Sequence, residues 1–141
     1  MVISNATLKA DIDWRLDGTV SVGDEAGISA SLVIEPGATL KGNIAGTVTE
    51  YVYIYPGSSL RAVGTVDAPI IFSSNDDGYS LESGLGEWGG LIIEDSVAVQ
   101  TNVQLEYFVV AEAGAPVVRG GGGVGGGNLE IPNCPNRDKA I

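Results

Sequence analysis

The chain has 141 residues, 18 acidic against 7 basic and no histidine, giving a formal net charge of −11 at pH 7. So acidic a surface repels nucleic acid and anionic membrane surfaces, and without histidine there is no Ser-His-Asp triad and no zinc site of the usual kind. The length suits one domain, and 21 glycines beside 44% hydrophobic residues argue against disorder and for buried strands joined by many tight turns.

Val2 to Trp14 opens with Ile3, Leu8, Ala10, Ile12 and Trp14 separated by polar residues, which reads as strand rather than helix. Trp14 is expected to pack on the core or cover an open end. Leu16-Asp17-Gly18 is a turn, Thr19 to Val22 a second short strand, and Gly23 to Gly27 a second turn.

Ser31 to Gly42 (SLVIEPGATLKG) is then echoed by Val52 to Gly64 (VYIYPGSSLRAVG). Superposing Pro36 on Pro56 and Leu40 on Leu60 gives a period of 20 residues, in the range where repeats mean solenoids. Each copy reads strand, Pro-Gly corner, strand, glycine. Proline presets φ for the first central position of a turn and glycine supplies the positive φ of the second. Such short units leave no room for a helix, and no window shows sustained helical spacing of apolar residues. The segment between the copies, Asn43 to Glu50, is expected to form a third face of the coil. Tyr51, Tyr53 and Tyr55 alternate with Val52 and Ile54, so the tyrosines face one side and the aliphatics the other. Two readings stand for the tyrosines, a plain outer coat or a contact surface for sugar or protein.

Asp67-Ala68-Pro69 turns into Ile70, Ile71 and Phe72, a buried strand, and Ser73 to Gly86 is a polar excursion from the coil. Asn75, Asp76, Asp77 and Glu82 in that excursion invite a calcium hypothesis, but their spacing fits neither an EF-hand nor a calcium-binding β-roll, and solvated turn residues are preferred. Leu91 to Ile93 form the next strand, two periods beyond Val52, and Val97 to Ala111 supply at least two more. About five coils result. Leu32, Ile34, Leu40, Val52, Ile54, Leu60, Ile71, Leu91 and Ile93 are expected inside.

Beyond Pro116 the composition changes, with seven glycines in Gly120 to Gly127. No Lys-Ser or Lys-Thr follows, so a phosphate loop is excluded and a flexible linker is the default. The division is a β-helix domain over 1–116 and a Gly-rich extension over 117–141. Cys134, the only cysteine, excludes an intramolecular disulfide and sits between prolines without a partner base. No stretch approaches the ~20 apolar residues of a membrane span. Met1-Val-Ile-Ser does not read as a signal peptide, so the chain is expected to be a mature or excised fragment.

IEPGATLKG, RAVGTVDAPIIFSS at Arg61 to Ser74 and GEWGGLIIE at Gly86 to Glu94 resemble the repeats of bacterial secreted and outer-membrane right-handed parallel β-helix proteins, many of them surface proteins and lipoproteins. The likeness covers roughly Asn5 to Ala115. It implies an all-β right-handed solenoid and an extracellular or cell-surface location, and it implies no chemistry. Right-handedness also follows from the chirality of parallel connections.

The reading is a non-catalytic structural or adhesive surface module with no catalytic, cofactor or metal site. The alternative is a carbohydrate-binding or polysaccharide-degrading domain. For that alternative Asp76, Asp77, Glu82 and Glu87 are the candidate acid and base, with Arg61 and Arg119 the nearest cations in sequence. An ice-binding array is disfavoured because Thr39, Thr47, Thr49 and Thr65 do not recur in register. A β-helix exposes strand edges at both ends, so copies are expected to join end to end as a homo-oligomer or filament, with Asn128 to Ile131 reaching a neighbour. A surface polysaccharide is the other partner considered.

Overall fold

A computed structural model describes residues 2–3, 5–42, 44–45, 48–74, 88–96, 98–111, 113, 117–118, 124–125 and 129–130. The strands are β1 (Val2–Ile3), β2 (Asn5–Leu8), β3 (Asp13–Arg15), β4 (Val20–Val22), β5 (Ser31–Ile34), β6 (Thr39–Gly42), β7 (Ile44–Ala45), β8 (Val48–Thr49) and β9 (Tyr51–Ile54). There follow β10 (Ser59–Val63), β11 (Ile70–Ser74), β12 (Gly90–Ile93), β13 (Asn102–Glu106), β14 (Phe108–Val110), β15 (Val117–Val118), β16 (Val124–Gly125) and β17 (Leu129–Glu130). No helix occurs among the described residues.

Thirteen of these strands form three parallel sheets, one on each side of a coil: β1-β4-β9-β12-β17, β2-β5-β10-β13 and β3-β6-β11-β14. The chain visits the sheets in that order on every turn. The result is a parallel β-helix of four complete turns and the first strand of a fifth.

The corners follow from local chemistry. Ala38 N–H donates to Glu35 O at 3.1 Å and Ser58 N–H to Tyr55 O at 3.1 Å, closing four-residue turns around Pro36-Gly37 and Pro56-Gly57. The glycines take φ of 85° and 83°, as the second central position of a type II turn requires. Alternation does the rest. In β5, β6 and β9 every second residue is buried, and the inward residues stack in columns: Ala6, Leu32, Leu60 and Val103 on one side, Trp14, Leu40, Phe72 and Val110 on another. Each fully buried Leu, Ile or Phe contributes roughly 1.5–3 kcal/mol of apolar burial. Phe72 lies parallel to the buried Trp88, ring centroids 6.4 Å apart, and the Trp88 indole N–H donates to Ala111 O at 2.7 Å.

The register corrects the repeat. Ser31–Ile34 pairs with Ser59–Ala62, so Leu32 stacks on Leu60, 28 residues on, and Tyr51–Ile54 lies in a different sheet. The two Pro-Gly motifs are different corners of the coil, one between β5 and β6 and the other between β9 and β10, with the β6-to-β9 corner between them; they are similar because both must turn one strand into the next, and they are not equivalent positions on successive turns. Val52 pairs directly with Leu91, so the interval that reads in sequence as two periods is a single turn, and Phe72 belongs to the same turn as Val52. The turns differ in length because insertions sit at the corners.

Three further expectations are corrected. The described residues of the Asn43 to Glu50 segment pair as an antiparallel hairpin, β7 with β8, and do not form a face of the coil. Ile71 points outward at 36% exposure while Ile70 and Phe72 are fully buried, because β11 enters its sheet one residue out of the phase that would bury Ile71. Val2 to Trp14 is broken into β1, β2 and β3, with Ala10 and exposed Ile12 at the corner between two sheets. Trp14 does pack against the core from the first turn, its indole N–H donating to Lys9 O at 2.9 Å.

In the C-terminal region β15 pairs with β16 antiparallel, and β17 pairs in parallel with β12 of the same chain, Leu129 beside Leu91 and Glu130 beside Ile92.

Candidate functional site

The outer face of the β1-β4-β9-β12-β17 sheet carries an open cleft. Its centre is β9. The alternation that sends Val52 and Ile54 inward leaves Tyr51, Tyr53 and then Tyr55 on the outside, each half-buried. Tyr51 and Tyr53 meet edge to face with centroids 6.5 Å apart, and Tyr53 and Tyr55 are tilted at 4.6 Å, so the rings form a contiguous strip along the strand. The neighbouring turns leave room for it: Ser21 is Tyr53's partner on β4, and Gly90 is Tyr51's partner on β12.

An open cleft of about 370 Å³ results, lined by the three tyrosines with Ser21, Asp24, Glu25, Gly27, Pro56, Glu94 and Val99. Two corners supply the carboxylates. At Gly23 to Gly27 the Asp24 carboxylate accepts Ile28 N–H at 3.0 Å, while Glu25 is exposed. Glu94 follows Ile93, whose ladder continues as Glu94 N–H donates to Ile54 O at 3.0 Å, and its Oε2 accepts the Tyr53 hydroxyl. Val99 is held over Gly57 by Ser96, whose hydroxyl donates to Val99 O at 3.0 Å and accepts Val99 N–H at 2.9 Å. Burial, followed by the fields of Glu25, Tyr51, Glu94 and Asp24, raises the Tyr55 phenol above its ordinary value of 10.0.

None of the described residues lining the cleft is a cation. The described cations lie elsewhere: Lys9 follows β2, Arg15 is on β3, Lys41 on β6, and Arg61 on β10, where its guanidinium donates to Gln104 Oε1. Among the described residues no group of three or more acidic or cysteine side chains is disposed to hold a metal ion. Asn75, Asp76, Asp77, Glu82, Glu87, Arg119 and Cys134 lie outside the described residues. The structure thus brings together the tyrosines singled out by their alternation, and adds Asp24, Glu25 and Glu94, which sequence reasoning places only in turns. The missing signal is the pairing of Val22 with Ile54 and of Ile54 with Ile93, which sets those corners on either side of Tyr55.

Stacked parallel sheets and an aromatic outer face define a β-helix repeat protein. A family model described as a pectate-lyase-like β-helix domain matches residues 1–120, and the chain belongs to that family. Comparison with curated proteins and with solved structures returned no match. No helix among the described residues is long and apolar enough to cross a membrane.

Proposed function

We propose that the domain is a non-catalytic β-helix module, working outside the cell, that holds a neutral glycan strand along Tyr51, Tyr53 and Tyr55. The observation that carries this reading is the aromatic strip in an open cleft. Sugar rings present apolar C–H faces and a rim of hydroxyls; tyrosine offers a flat apolar body and a polar tip, and the adjacent carboxylates accept hydroxyl protons. The family description names pectate, an acidic polymer. Asp24, Glu25 and Glu94 around the strip repel a polyanion, and among the described lining residues no cation offsets them. Proton abstraction next to a sugar carboxylate also calls for a positive group or metal to stabilise the charge that develops. No described residue lining the cleft is itself a cation, and it is the tyrosine strip that supports the binding reading at this face.

The test is calorimetric binding of cellohexaose, xylohexaose and hexagalacturonate, with reducing ends and unsaturated-product absorbance followed in parallel. The neutral hexasaccharides bind and hexagalacturonate does not, with no turnover of any. Tyr55→Ala weakens binding about tenfold, or ~1.4 kcal/mol, while Tyr53→Phe, which keeps the ring, leaves it nearly unchanged. Turnover of hexagalacturonate that is abolished by Asp76→Asn or Asp77→Asn would replace this reading with the enzymatic one.

A further inference from the structure

Both ends of the coil are built to continue. Among the described residues, the sheets of β2 and β3 end at those strands on one side, and at β13 and β14 on the other. Inward positions in the middle turns are fully buried. Their equivalents at the ends, Ala6, Leu8 and Trp14 at the base and Val103, Leu105, Phe108 and Val110 at the top, pack on the core but remain only partly buried. An unpaired strand edge beside incompletely covered apolar residues is a template for a further strand.

We propose that a second copy of this chain stacks head to tail on this end, β2 and β3 of one copy on β13 and β14 of the other. The internal ladders fix the register. Asn5, Ser31, Ser59 and Asn102 are successive partners, as are Trp14, Leu40, Phe72 and Val110. Continuing them sets Ala6 on Val103, Leu8 on Leu105 and Trp14 on Val110, completing both columns. The same register places Lys9, just past β2, on Glu106, the last residue of β13. Both β13 and the Lys9 corner are exposed on their outer side, so this opposite-charge pair lies at the rim of the joint.

The third sheet makes the joint conditional. Val2 pairs with Ser21, Ser21 with Tyr53, and Tyr53 with Ile92, so a stacked neighbour would bring its own Val2 to Ile92. That place is held by Glu130 of β17. The C-terminal strand and the neighbour's β1 therefore compete for one edge, and β17 acts as an internal stop on assembly. The expectation that the tail reaches out to pair with a neighbour is replaced by the reverse: the tail restrains stacking.

Sedimentation velocity of the full-length protein over a range of concentrations tests this, with far-UV circular dichroism to establish that each variant keeps its β signal. Leu129→Pro removes a ladder N–H from β17 and should strengthen self-association about tenfold or more. In that background Lys9→Glu and Glu106→Lys each weaken association about two- to fivefold, the range of an exposed ion pair. Mixing the two charge variants restores it, since each then meets an opposite charge on the other. The proposal is overturned if Leu129→Pro stays monomeric throughout, if it associates less than or no more than the parent chain, or if association is indifferent to the charge reversals.

Discussion

Phe72 and Ile71 are adjacent in sequence and differ in everything that matters for stability. Phe72 is fully buried against Trp88, so Phe72→Ala should cost about 3–5 kcal/mol in urea-induced unfolding, whereas Ile71→Ala, on the outer face, should cost under ~1 kcal/mol. A larger cost for Ile71→Ala than for Phe72→Ala would mean that β11 sits in the opposite phase. Gly57→Ala combines a positive φ with a new methyl that would stand 2.6 Å from Val99 Cγ1, and is expected to lose at least ~1–2 kcal/mol in the same measurement. Tyr55 adds a pH dependence. Its phenol holds its proton more tightly in the folded chain than in the unfolded one, so the stability it confers is present in full below 10.0 and is lost as pH rises through the raised folded value. The urea midpoint should therefore fall on the alkaline side of 10.0, and fall less steeply in Tyr55→Phe.

At the scale of the strand, the order β1-β4-β9-β12-β17 makes β9 the centre of its sheet and β1 and β17 its margins. Amide hydrogen exchange should be slowest at Val52 and Ile54 and fastest at Val2, Ile3, Leu129 and Glu130, because marginal strands open without disrupting the rest. Equal protection across the sheet would contradict the ladder. This is also the scale at which the sequence is readable only in part. Pro-Gly corners, alternation in β5, β6 and β9, and the want of helical spacing are local, and they suffice for a β-solenoid. Pairing is not local. It depends on the length of each turn, which runs from 19 residues between Val2 and Ser21 to 43 between Leu60 and Val103. Two look-alike corners less than a full turn apart then outweigh the true but irregular spacing. The site inherits the same limit: alternation exposes Tyr51, Tyr53 and Tyr55, while only the register brings Glu94 to Tyr53 and Asp24 and Glu25 to Tyr55.

For the molecule as a whole, the described charge is unevenly placed. The cleft side is acidic, and the four described cations lie on or beside strands of the other two sheets. That arrangement supports the neutral ligand proposed for the tyrosines. The glycan reading is tested most directly by nuclear magnetic resonance of protein carrying ring-labelled tyrosine, titrated with cellohexaose. Tyr107 is an internal control: it is 57% exposed at the corner between β13 and β14, away from the cleft, and any unspecific stacking of sugar on surface tyrosine would move it too. The expected result is a saturable shift of the Tyr51, Tyr53 and Tyr55 resonances with Tyr107 unmoved. No shift at saturating sugar, or a shift of Tyr107 as large as those of the cleft tyrosines, would contradict it.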